Sequence, residues 1–168
     1  MKCWISPKVE RRGSKISGNG LYAKTDIPAD KTIAGKSGDV YDAETHARIK
    51  KQLGSVALQI DENLYMGPQR EEEVEATMIR MNHSCNPNVH IVGQILFKTS
   101  RPILKDEELV FDYAMTEGDP TFRIDCNCGA SNCRKTITGD DWKKPELQER
   151  YGNYFSPYLL KRIRKSQL

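Results

Sequence analysis

The run Arg80-Met81-Asn82-His83-Ser84-Cys85-Asn86-Pro87-Asn88 brings four side-chain chemistries into one short stretch. Asn, His and Ser offer directional hydrogen bonds, Cys85 offers a soft metal ligand, and Pro87 pushes Asn86 toward an extended conformation in what reads as a turn. Alone, the run is equally an Asx-rich turn around one buried cysteine. Its company points further. Cys126-x-Cys128-x4-Cys133 supplies three thiols from one loop, and a closed structural zinc site takes four ligands in a tetrahedron. Cys85 is the cysteine that sits in a polar loop, so the spacing predicts a four-cysteine site of Cys85, Cys126, Cys128 and Cys133, with His90 as the fallback fourth ligand. Such a site would tie the C-terminal segment onto the Asn82-His83-Ser84 loop. A third element is Gly18-Asn19-Gly20, whose glycines let backbone approach a ligand closely, or simply close a hairpin. No Lys-Ser or Lys-Thr helix start follows it, which argues against a phosphate cradle.

These residues sit in a chain of 168 residues with 38% hydrophobic residues and a net charge of +3, enough for one compact domain with a real core. The charge is too mild to make nucleic acid the main ligand. No apolar run approaches the length of a membrane span, and the N-terminus lacks the apolar core of a signal peptide. Five cysteines, three of them crowded together, fit metal ligation in an intracellular, reducing compartment better than a disulfide framework. Cys3 reads as a lone structural thiol.

The elements that position these groups are short. Strands are predicted over Met1 to Ile5, after the glycine turn, Lys31 to Ala34, Val56 to Ile60, Leu64 to Met66 and Arg101 to Leu104. Val89 to Val92 and Ile95 to Lys98 form a hairpin about Gly93-Gln94, with His90 on its solvent side. Glu108 to Tyr113 reads as one strand, whose alternation puts Phe111 and Tyr113 on the same face. Asp42 caps a helix that Gly54 stops. Glu71, Glu72, Glu73 and Glu75 make an acidic, solvated face. Beyond Cys133, Trp142, Leu147, Tyr151, Phe155, Tyr158, Leu159 and Ile163 look like helical turns laid over the sheets, and the last 26 residues hold seven Lys or Arg against two Glu. The pattern is a mostly β (α+β) fold.

The glycine turn, Asn82-His83-Ser84-Cys85-x-Pro87-Asn88, Glu108 to Tyr113 and the cysteine cluster, in that order, resemble the SET-domain protein lysine methyltransferases. The likeness covers roughly Ile16 to Arg134. It implies several small curved β-sheets, with the segment ending at Tyr113 threaded beneath a loop of preceding chain as a pseudoknot. It divides the chain into a SET domain, 1–125, and a zinc-binding post-SET segment with a C-terminal helical extension, 126–168, in one compact unit. It also implies S-adenosylmethionine as methyl donor and a basic, histone-like protein or peptide as acceptor. Carried over by position, Gly18, Asn19 and Gly20 line the methionine end of the donor, Asn82 and His83 hold its amino and adenine ends, and Ile137 or Trp142 covers the adenine. Tyr113 is the catalytic tyrosine at the transfer pore. Phe111 is the position that sets how many methyl groups are added, with phenylalanine favouring di- or trimethylation.

One stretch departs from the family. Where Glu-Tyr-x-Gly-Glu is common, this chain has Gly35-Lys36-Ser37-Gly38-Asp39, so Lys36 replaces an aromatic hydroxyl of the lysine channel, and Tyr65 is the candidate to restore it. Lysine, with a pKa near 10.4, must lose a proton before it attacks, at a cost of roughly 4 to 5 kcal/mol at pH 7. An apolar channel beside a sulfonium lowers that cost without a dedicated base, which casts Tyr113 as a positioning hydroxyl. The alternative is a zinc-stabilised interaction module of the same fold that has lost turnover through the Lys36 change.

Overall fold

The computed structural model describes residues 2–166. In chain order the first half is β1 (Trp4–Ile5), β2 (Val9–Gly13), β3 (Asn19–Ala23), β4 (Thr32–Gly35), β5 (Asp39–Asp42), α1 (Ala43–Leu53), β6 (Leu58–Asp61), β7 (Leu64–Gly67) and α2 (Glu71–Thr77). The second half is β8 (Asn82–His83), β9 (Val89–Val92), β10 (Leu96–Thr99), β11 (Glu108–Phe111), β12 (Arg123–Asp125), β13 (Thr136–Thr138), α3 (Pro145–Tyr151) and α4 (Pro157–Ser166). The fold is mostly β with short C-terminal helices, as expected. Among the described residues no helix is long and apolar enough to cross a membrane.

Local chemistry accounts for most of these elements. The Asp42 side chain accepts the Thr45 N–H at 2.9 Å and starts α1, and Gly54 ends it at φ 78°. β9 and β10 pair antiparallel about Gly93, itself at φ 63°. The Arg101–Leu104 strand does not form. Ile103 makes only an isolated bridge to Ile27, and Pro102 lacks the N–H that a longer ladder needs. β11 also stops at Phe111, because the Asp112 side chain accepts the Ala114 N–H at 2.9 Å and turns Tyr113–Met115 into a 3-10 turn. Strand alternation therefore does not bring Phe111 and Tyr113 together; the turn does, with ring centroids 5.1 Å apart.

β11 is the strand around which the rest is arranged. It pairs antiparallel with β3 and parallel with both β8 and β9. The loop between β8 and β9 grips it through Ser84 N–H to Phe111 O at 3.1 Å, Asn88 N–H to Val110 O at 3.1 Å and Val110 N–H to Asn88 Oδ1 at 2.8 Å. This is the pairing that a pseudoknot requires. β5, β7 and β6 form a separate small sheet, and β12 with β13 a two-stranded one. The main core joins Leu21, Ile33, Val89, Ile91 and Leu109 of the sheet to Leu147, Leu159 and Ile163 of the C-terminal helices and to Phe155 between them. The helices thus bury their apolar face directly on the sheet, worth about 1.5–3 kcal/mol per large side chain.

Candidate active site and metal centre

A cavity of about 310 Å³ opens where these elements meet. One wall is the glycine turn, through Ser17, Gly18 and Asn19, together with Met81 and Asn82. The facing wall is aromatic, from Tyr65, Phe97, Phe111, Tyr113 and Phe122, with His46 beside it, and Lys36, Lys50, Glu117 and Asp119 bring charge to it.

The glycine wall is held in place by a half-buried polar hub. Asn82 Nδ2 donates to Ser17 O at 3.1 Å, to Asn19 O at 3.3 Å and to Glu108 Oε1 at 2.9 Å, while the Glu108 carboxylate also accepts from Ser14 and Tyr22 hydroxyls at 2.8 and 2.9 Å. Gly18 has φ 46°, a left-handed conformation that favours glycine, and a Cβ on Gly20 would lie 2.1 Å from Glu108 Oε1. Gly20 is therefore needed for the close approach of the hub and lies behind the cavity wall, whereas Gly18, Asn19 and Asn82 face the cavity.

Tyr113 donates its hydroxyl to Met81 O at 3.1 Å, and burial pushes its pKa up to about 12. The hydroxyl stays protonated and oriented. Phe111 is 7% exposed and packs edge-on to Phe97 at 5.1 Å between centroids. Tyr65 lies against His46 of α1, rings stacked at 3.8 Å, so an otherwise ordinary helix contributes to the site. Lys36 is 7% exposed and donates from Nζ to Thr77 O at 2.6 Å and Val56 O at 3.4 Å. Burial lowers its pKa to about 8.

His83 does not line the cavity. It lies behind Tyr113, accepting the Tyr113 N–H on Nδ1 at 3.2 Å, with Nε2 3.4 Å from Cys85 Sγ. The first contact fixes the tautomer with its proton on Nε2, aimed at the sulfur. Burial lowers the His83 pKa to about 4 and keeps the ring neutral. Asp112, fully buried, anchors the same turn: Arg134 reaches it with two guanidinium nitrogens at 2.6 and 2.7 Å, and Tyr151 donates to it at 2.8 Å. Burial works to raise the Asp112 pKa, but the Arg134 bonds prevail and hold the carboxyl below its ordinary range. Sequence reasoning missed this network because its members are 22 and 39 residues apart.

The sulfur atoms of Cys85, Cys126, Cys128 and Cys133 lie within 4.8 Å of one another, and Cys85 and Cys126 are 4.0 Å apart. A tetrahedral centre with bonds of about 2.3 Å has its sulfurs about 3.8 Å apart, so the four thiols fit a metal ion. His90, the fallback ligand, is not part of the cluster. Nor is it on a solvent face: it is 6% exposed and stacked on Tyr154 at 3.8 Å, because the 3-10 turn Gly152–Tyr154 covers β9. Ile137 is fully buried behind the cysteines and Trp142 lies in the core under the C-terminal helices; neither lines the cavity. The acidic face of α2 is largely met by the chain's own arginines, with Arg70 on Glu72 and Glu73 and Arg11 and Arg80 on Glu75.

The family model for the SET domain matches residues 18–114, from the glycine turn into the 3-10 turn that carries Tyr113. Histone-lysine N-methyltransferase trr of Drosophila melanogaster is 37% identical over 135 residues, covering 73% of this chain and 5% of that protein. Histone-lysine N-methyltransferase 2B of Homo sapiens is 34% identical over 141 residues, 74% of this chain and 5% of the relative. A histone-lysine N-methyltransferase of Cryptococcus neoformans, named as H3 lysine-4 specific, is 32% identical over 135 residues, 72% of this chain and 9% of its own length. The chain spans less than a tenth of these curated relatives.

Proposed function

The chain belongs to the SET-domain family, and on that footing we propose that it is an S-adenosylmethionine-dependent protein-lysine N-methyltransferase acting on a histone or another basic, chromatin-like protein. The observation that carries this reading is the single cavity joining the left-handed glycine turn to the Tyr113 hydroxyl. When bound, S-adenosylmethionine supplies a methyl group activated by a sulfonium. Gly18, Asn19 and Asn82 would hold it, with Gly20 and His83 setting their positions from the layer behind. The turn fits such a guest: its carbonyls are ordered by Asn82, and Gly18 carries no side chain to fill the space.

The acceptor lysine enters among Phe97, Phe111, Phe122 and Tyr65, whose apolar faces disfavour its ammonium form. Tyr113 aligns the amine for in-line transfer, its hydroxyl fixed on Met81 O. Phe111 offers no polar partner to a water, so a water there is easily displaced and an amine already carrying methyl groups has room to turn. Di- or trimethylated product is the reading this supports. The four cysteines would hold one zinc ion, which ties residues 126–168 onto the SET domain of residues 1–125. The compartment is intracellular and reducing, cytoplasmic or nuclear.

The buried Lys36 ammonium favours one other reading, a non-catalytic module of the same fold. Calorimetry with S-adenosylmethionine, followed by labelled-donor transfer to a panel of basic proteins, separates the two. Transfer to a histone-like protein is expected; failure of the protein to bind the donor would favour the module.

A further inference from the structure

The cavity contains a carboxylate that has no counter-ion among the described residues. Glu117 lies one residue past the cap of the turn that carries Tyr113, and its own N–H donates to Tyr113 O at 2.8 Å, which fixes it to the same piece of backbone. Its side chain is half-buried and lines the cavity. Glu117 Oε1 accepts the Asp119 N–H at 2.9 Å; among the described residues no side chain donates to Glu117 and no cation lies within salt-bridge distance. The charged groups around it are engaged elsewhere. Lys50 is 3.4 Å from Asp119, which also takes both donors of Thr121. Arg162 is committed to Glu62 and to Gly118 O, and Lys36 to two carbonyls. The Tyr158 hydroxyl donates to Thr116 O at 2.6 Å. Tyr65 and His46, stacked on each other, complete the surroundings. Burial pushes the Glu117 pKa up to about 7.

A carboxylate withdrawn from water without a partner is costly, and one kept facing a cavity is suited to a cation that arrives from outside. We propose that Glu117 receives the ammonium of the acceptor amine in this cavity and takes up its proton. The N–H bond breaks with its electron pair left on nitrogen, an O–H bond forms on the carboxylate, and nothing is oxidised or reduced. The lone pair is then free in the cavity that Tyr113 also lines, and the proton leaves from the carboxyl to water at the mouth. The ligand class is therefore a primary ammonium on a flexible stem. This rests on the methyltransferase reading only for the fate of the amine.

The test uses the full, zinc-loaded chain. Fluorescence anisotropy compares an arginine-rich decapeptide carrying one lysine with the same peptide carrying norleucine, on wild type and on Glu117→Gln, which keeps the carbonyl that accepts the Asp119 N–H. At pH 8 wild type is expected to prefer the lysine peptide by about tenfold or more, and Glu117→Gln to lose that preference. Since a carboxylate gives up its charge as pH falls through its pKa, the wild-type preference should fade below about pH 7. In methyl transfer, Glu117→Gln should be slow at pH 7 and approach wild type toward pH 10, where the amine is already neutral. Equal binding of the two peptides by wild type, a preference retained in Glu117→Gln, or superimposable pH–rate profiles would each overturn the proposal. A Glu117-dependent lysine preference in a protein that transfers no methyl group would sustain it and sink the methyltransferase reading instead.

Discussion

Arg134→Met is the substitution that most directly tests how the C-terminal segment supports the site. It removes both guanidinium bonds to Asp112, at 2.6 and 2.7 Å, and the 2.9 Å bond to Asp141, while leaving the Asp112 carboxylate at 0% exposure. Tyr151 and the Ala114 N–H remain as its donors, neither of them charged. Removing one partner of a buried ion pair costs about 3–5 kcal/mol, because the other charge stays buried. With an m-value of about 2 kcal/mol/M in urea, a loss of about 4 kcal/mol lowers the unfolding midpoint by about 2 M. Asp112→Asn should cost less, since Arg134 keeps Asp141. The double variant, with no uncompensated charge at this position, should be clearly more stable than the sum of the single losses predicts. Urea unfolding of zinc-loaded protein at pH 7.5 measures all three. A loss below about 1 kcal/mol in Arg134→Met, or strict additivity in the double variant, would refute the assignment of this pair as the anchor of the Tyr113 turn.

Cys85→Ser should lower zinc below one equivalent per chain and weaken donor binding, as seen by metal analysis and calorimetry; unchanged zinc content would mean a different fourth ligand. Tyr113→Phe should fold and bind donor while transferring methyl about 100-fold more slowly, because the Met81 contact that aligns the amine is gone. Phe111→Tyr places a hydroxyl among Phe97 and Tyr113 and should shift mass-spectrometric product at long times from di- or trimethyl to mainly monomethyl; an unchanged distribution would return Phe111 to a packing role.

Much of this site is carried by local chemistry and is legible in the chain. The Asp42 cap, the Gly54 stop, the Gly93 hairpin and the glycine turn are each decided by one or two residues. The four cysteines are legible because three thiols crowded in one loop, with a fourth in a polar loop, match the ligand set of a closed tetrahedral site. What is hidden depends on distant chain. Lys36 is visibly out of place in sequence, yet its two carbonyl partners come from residues 20 and 41 positions away. His90 alternates as a solvent-side residue should, and only the return of Tyr154 over β9 buries it. Glu117-Gly118-Asp119 has the composition of a surface turn. Nothing local says that Gln59 will accept the Gly118 N–H at 3.0 Å and draw the turn into the cavity wall.

The arrangement of β11 bears on how the molecule is made. Its partner β3 lies 86 residues back in register, and β8, which leads into the loop that grips its other side, pairs 28 residues back. Neither flank can close until most of the chain is in place, and non-local parallel pairing of this kind slows folding. The Tyr113 turn, being the continuation of that strand, is completed in the same late step. A refolding chain should therefore acquire far-UV signal from α1 and the β9–β10 hairpin well before it can bind a small molecule at the glycine turn. Donor binding becomes a kinetic clock for the last stage of assembly.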